Sequence, residues 1–135
     1  MKPKYPLIQP FGELPRQMHW NYFRFCIGPV PDKWLEICDE VGLLIQDEFP
    51  IWLLSRAPRT PKAEQIIPEY TEWMRQRWNH PCVVIWDAQN ESVTDETGQA
   101  LQAVRRLDLS DRPWDNGWAA PQKIHGSSGG QNVRM

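Results

Sequence analysis

No stretch of this chain approaches the ~18 consecutive apolar residues that read as a membrane span. The opening stretch, "MKPKYPLIQPFGELP", has no apolar core of the kind a signal peptide needs. If Met1 is the true start, the cytoplasm is the expected compartment; localisation is otherwise open. No Gly-rich loop follows an apolar run, which argues against a dinucleotide fold or a P-loop. No basic stripe points to nucleic acid: Lys and Arg number 15, Asp and Glu 17, and the two signs are mixed along the chain. Cysteine is scarce, with three residues. Cys26, Cys38 and Cys82 are odd in number and widely spaced, so they are expected as buried free thiols, not as a disulfide framework or a zinc pattern. His19, His80 and His125 lack ligand spacing. No cofactor or metal is expected, and neither nucleic acid nor a membrane as partner.

Tryptophan, by contrast, is plentiful: eight in 135 residues. Such an excess suits a packed core, an aromatic-lined cleft, or both. The length suits one domain.

Short apolar runs alternate with helical patterns. Tyr22 to Ile27 reads as a strand stopped by Gly28-Pro29. "DKWLEICDEVG" spaces Trp34, Leu35, Cys38 and Val41 as a helix, with Asp32 as the expected N-cap and Gly42 as the stop. Leu43 to Ile45 reads as a buried strand. "LLSRAPRTPKAEQIIP" reads as a surface excursion. "PEYTEWMRQRWNHP" reads as a helix with Pro68 in its first turn and Tyr70, Trp73, Met74 and Arg77 on one face. "CVVIW" is a strand. "TDETGQALQAVRRLD" is a helix with Asp95 as candidate cap and Leu101, Val104 and Leu107 as its apolar stripe, and "RPWDNGW" opens another strand. The Gly/Ser-rich end is expected to be disordered. Strands without alternation, separated by helices, predict a parallel α/β sheet.

Two of these strands end alike. "LLIQDEF" and "VVIWDAQNES" both pass from apolar residues to polar and acidic ones. In a parallel α/β fold all strand C-termini open on one face, and that face carries the site. Asp47, Glu48, Asn90 and Glu91 are therefore expected on one rim. An acidic pair after a strand also commonly caps the next helix, which is the simpler account of Asp47.

"KWLEICDEVGLLIQDEFPIW", "RQRWNHPCVVIWDAQNES" and "RPWDNGW", in this order, resemble the catalytic domain of glycoside hydrolase family 2, the β-galactosidase, β-glucuronidase and β-mannosidase group. The resemblance implies part of a (β/α)8 TIM barrel, about its strands 2 to 5 with the intervening helices, over residues 1–122, followed by a tail at 123–135. It implies a retaining hydrolase of O-glycosidic bonds with a carbohydrate substrate. Glu91 would be the general acid/base, Asn90 would bind the sugar 2-hydroxyl, Arg24 would be an active-site arginine, and Asp47 would lie on the substrate-facing rim. Trp52, Trp86, Trp114 and Trp118 are candidates to stack on sugar faces, Trp118 foremost; core packing is at least as expected for Trp86.

The residue types suit the chemistry. A retaining glycosidase needs an acid that protonates the leaving group, and a second carboxylate ~5 Å away that attacks the anomeric carbon. An amide beside the acid binds sugar without competing for the proton.

The pattern also departs from the family. "FCIGPVP" lacks a His usual after the second barrel strand, and "DAQNES" adds Asp87 and Gln89 to the commoner "SLGNES". No carboxylate follows Trp118 to act as nucleophile, and a whole barrel needs about 250 residues. The chain therefore reads as a fragment carrying the acid/base without the nucleophile, expected to self-associate through open barrel edges. The alternative is a non-catalytic carbohydrate-binding or interaction remnant of that barrel.

Overall fold

The computed structural model describes residues 14–15, 17–53, 61–92 and 94–117. Four strands, β1 (Tyr22–Phe25), β2 (Leu44–Glu48), β3 (Val83–Asp87) and β4 (Trp114–Asp115), alternate with three helices, α1 (Asp32–Val41), α2 (Ala63–Arg77) and α3 (Asp95–Val104), the last continued by a 3-10 turn at Arg105–Leu107. The strands lie in sequence order and every neighbouring pair is parallel. This is the repeating β/α arrangement of a barrel, present as an arc of four strands.

The two faces of the sheet differ because alternate side chains of a strand point to opposite faces. On one face Ile45, Val83, Trp86 and Trp114 pack with Leu35 and Cys38 of α1, Tyr70, Trp73 and Met74 of α2, and Leu101 and Val104 of α3; Val83 and Trp86 share that face because the β2–β3 register shifts by one residue between them. Trp73 is the hub of an aromatic cluster, its ring 5.0 Å from Trp86 and 6.0 Å from Trp114. Trp86 Nε1 donates to Asp108 Oδ2 at 2.9 Å, so its polar edge is satisfied inside the core. Trp86 and Trp114 are thus helix-facing core residues, with no ring face offered to a sugar. Trp52, after β2, is exposed. Trp118 and the 123–135 tail lie outside the described residues.

Several helix boundaries differ from the sequence expectation. α2 starts at Ala63, five residues before Pro68, so Pro68 sits inside the helix. Ala63 and Ile66 are buried in line with Tyr70, Trp73 and Arg77, and that burial outweighs the backbone hydrogen bond Pro68 cannot donate. Gln65 Oε1 accepts from the Lys62 N–H at 3.0 Å and closes the helix start. Pro31, not Asp32, is the N-cap of α1; Asp32 is the first helical residue and bonds Arg77 of α2. Thr94, not Asp95, caps α3, its hydroxyl accepting from the Thr97 N–H at 3.2 Å. Leu107 is exposed because the chain has tightened into the 3-10 turn. Gly42 does end α1, in the left-handed conformation at φ 71°. Cys38 and Cys82 are buried, whereas Cys26 is exposed.

Candidate active site

Parallel pairing brings the C-terminal ends of all four strands to one side. There the face opposite the helices carries Tyr22 and Arg24 from β1, Gln46 and Glu48 from β2, Asp87 from β3 and Asp115 from β4. Arg24 joins three of the strand ends. Its Nε donates to Asp87 Oδ2 at 2.7 Å, its Nη2 donates to Asn90 Oδ1 at 3.0 Å, and the same Nη2 forms an ion pair with Glu48. Gln46 Nε2 donates to Asp87 Oδ2 at 2.7 Å and to Asp115 Oδ2 at 3.1 Å, while Tyr22 donates its hydroxyl to Gln46 Oε1. Burial works against the Arg24 charge, but Asp87 and Glu48 outweigh it and hold the guanidinium protonated.

Asn90 and Glu91 follow β3 directly. The backbone there is tied on every side: Asn90 N–H donates to Ile51 O at 2.8 Å, Ala88 N–H to Asp115 O at 2.9 Å, and Tyr70 Oη–H to Ala88 O at 2.7 Å. Ser92 Oγ accepts from the Leu53 N–H at 2.5 Å, and the carbonyl of Asn90 lies 2.9 Å from it. Gln89 is buried and donates to Asn116 Oδ1 at 2.7 Å. Gly117 packs against this turn at φ +66°, where a Cβ would stand 2.6 Å from Ser92 O. Within this frame Glu91 takes a left-handed φ of 45°, uncommon for a residue with a side chain, and its carboxyl group is exposed. Gln89 and Ser92 therefore build the strand end, and Asn90 and Glu91 are presented by it.

Asp47 is placed differently from the expectation. Its neighbours in sequence, Gln46 and Glu48, face Arg24, so Asp47 faces the helices. It accepts from Trp73 Nε1 at 2.8 Å and pairs with Arg77 Nε at 3.1 Å, wholly buried. Burial lifts its pKa to about 6, against the opposing pull of Arg77. It fixes α2 to β2. The rim carboxylate of β2 is Glu48, and strand alternation from Arg24 is the signal that separates the two. Tyr22, Gln46 and Asp115 carried no motif of their own; only the sheet register brings them together.

Among the described residues, Asp39, His80 and Cys82 place their ligating atoms within 4.8 Å of one another, at the opposite end of the strands. Their bonds are already made: His80 Nδ1 lies 2.6 Å from Asp39 Oδ2, Cys82 N–H donates to Asp39 Oδ1 at 2.8 Å, and Cys82 Sγ–H to Leu35 O at 3.5 Å. The trio ties α1 to the entry of β3. Asp39 lies 41 residues before His80, so no local spacing announced the trio.

Residues 12–115 match the family described as "Glycosyl hydrolases family 2, TIM barrel domain". The chain belongs to this family. A β-galactosidase of Vibrio cholerae is 35% identical over 88 residues, which cover 59% of this chain and 8% of that protein. A putative β-glucuronidase of Formosa agariphila is 28% identical over 126 residues, covering 88% of this chain and 12% of that protein. A β-glucuronidase from Ruminococcus gnavus, solved in complex with D-glucuronic acid, superposes with a TM-score of 0.70 at 25% identity, over 82% of this chain and 20% of that one. The chain thus spans about a tenth of the length of these curated relatives. Its four strands and the three helices between them are one part of the family's TIM barrel.

Proposed function

We propose that this segment carries the acid/base side of a retaining β-glycosidase site. Glu91 protonates the departing glycosidic oxygen and then takes a proton from the attacking water. Asn90 holds the sugar 2-hydroxyl. Arg24 orients Asn90. The nucleophile is supplied from outside these 135 residues. The observation that carries this reading is the Arg24–Asn90 bond beside a Glu91 held at positive φ, at the C-terminal end of a parallel sheet. A barrel places its chemistry at that end. The family relatives named as β-galactosidases and β-glucuronidases support a β-linked sugar as substrate. Trp52 is the exposed ring nearest in sequence to the β2 rim and is our candidate for a sugar face. Asp47 has no part in the proposal, because its carboxylate faces Trp73 and Arg77.

The test is the leaving-group dependence of Glu91→Gln in the full-length protein. General acid catalysis supplies roughly 100- to 10,000-fold. The variant should lose that much on glycosides whose leaving group needs a proton, and much less on aryl glycosides that depart unaided. Equal loss on both would remove Glu91 from the acid/base role.

The arc also leaves β1 and β4 with one strand partner each among the described residues. Unpaired edges template further pairing, so the isolated segment is proposed to self-associate through them. Sedimentation that stays monomeric across a hundredfold range of concentration would contradict this.

A further inference from the structure

The inner face of the sheet holds more carboxylates than its cation can match. Glu48 and Asp87 are register partners in the β2–β3 ladder, on the same face, and both are wholly buried. Adjacent strands lie about 4.8 Å apart, so the two carboxyl groups are neighbours. Each turns one oxygen to Arg24: Asp87 through Oδ2 and Glu48 through Oε2. The other oxygens, Asp87 Oδ1 and Glu48 Oε1, are buried with no hydrogen-bond partner among the described residues. A buried carboxylate oxygen without a donor forfeits its hydration with nothing in return. A proton held between two such neighbouring side chains would satisfy both.

We propose that Glu48 and Asp87 hold a single proton, and that this singly charged pair is a positioning element that seats Arg24 and, through it, the amide of Asn90. One negative charge then faces one guanidinium. Because Arg24 Nη2 donates to Asn90 Oδ1, the orientation of the Asn90 amide depends on where the guanidinium sits. Loss of the shared proton puts a second negative charge beside Arg24, draws the guanidinium toward the pair and releases Asn90. The groups that face the pair are consistent with the proton. Tyr22 and Cys26 from the β1 segment are neutral at neutral pH, Arg24 supplies the positive charge, and Asp115 from β4 adds a further carboxylate. Burial, and after it the charge of Asp87, lifts Glu48 to about 7; burial and Asp115 lift Asp87 as well. The proton pair stands on its own geometry. Only its consequence for sugar binding rests on the glycosidase reading.

The experiment is a titration of the whole chain, with the side-chain carboxyl carbons of Asp and Glu and the side-chain amide of Asn90 followed by NMR from pH 4 to 9. The expected result is one step shared by Glu48 and Asp87, at least one pH unit above the ordinary carboxylate range of about 4, with the Asn90 amide moving at the same midpoint. Glu48→Gln keeps the shape and offers an amide N–H where the proton was. It should abolish the shared step and leave the Asn90 amide constant across the range. If that variant does not fold, Asp87→Asn is read the same way, and the wild-type titration decides by itself. The proposal is overturned if the two carboxyls titrate separately in the ordinary range, if the Asn90 amide ignores the step, or if the resonances respond to added sodium or magnesium instead of pH. A failure of the Glu91 leaving-group test would leave all of these outcomes unchanged.

Discussion

Arg24 and Asn90 stand 66 positions apart in sequence and meet through a 3.0 Å hydrogen bond, with Asp87 and Glu48 holding the other side of the guanidinium. One side chain therefore ties the ends of β1, β2 and β3 together, and the bond exists only if all three strands are parallel and in register.

Replacement of Arg24 tests that junction. Arg24→Met leaves the buried Glu48–Asp87 pair without its cation. Removing one partner of a buried pair costs roughly 3–5 kcal/mol. Because over a third of the Arg24 side chain is exposed, the expected loss is smaller, about 2 kcal/mol. Arg24→Lys should recover only part of it, since a point charge cannot reproduce a fork with three acceptors. Urea melts measure both; a Lys variant as stable as wild type would contradict the forked arrangement.

The stability of the fold should fall from mildly acidic to neutral pH. Glu48 and Asp47 are both raised, to about 7 and about 6, first of all by burial. A carboxyl whose folded pKa is raised stabilises most below its unfolded pKa, and that contribution is lost as pH rises through the folded value. Asp108 runs the other way: bonds from Trp86, Ser110 and Arg112 outweigh burial and lower its pKa, so its contribution is lost on acidification. The Tm should therefore peak at about pH 4 and decline up to about pH 7. Glu48→Gln should flatten the decline. A wild-type Tm that climbs steadily from pH 5 to 8 would contradict the assignment.

The three thiols should separate by accessibility. Cys38 and Cys82 are buried, and burial raises both pKa values, Cys38 to about 11. Cys26 is exposed. A thiol reagent on the native chain should modify one cysteine quickly and the other two only on unfolding. Native modification of all three at one rate would show that the helix–sheet core is open.

The order of elements was legible in the sequence because each strand was a short apolar run and each helix carried its own stripe. Tyr70, Trp73, Met74 and Arg77 lie on the buried face of α2 as their spacing predicts. The start of α2 was hidden because Pro68 reads as a boundary, whereas the burial of Ala63 and Ile66 carries the helix past it. On the site, Arg24, Asn90 and Glu91 all fall at strand ends on the expected side. Asp47 misled because the motif "QDEF" does not say which of two adjacent carboxylates points inward; alternation from Arg24 assigns that place to Glu48. Trp86 and Trp114 were open between cleft and core, and their contacts with Trp73 put them in the core. Asp115, Gln46 and Tyr22 depend on cross-strand register, which no local pattern encodes.

The central claim is that Glu91 is the acid/base, and chemical rescue tests it most directly. In the full-length protein, Glu91→Ala should still form a glycosyl-enzyme from a substrate with a good leaving group, but water should attack it slowly for want of a base. Azide needs no base. Added azide should restore turnover by at least about tenfold, within the range that general base catalysis contributes, and the product should be a glycosyl azide of retained configuration. A variant that azide does not accelerate, and that yields only the free sugar, would contradict the account.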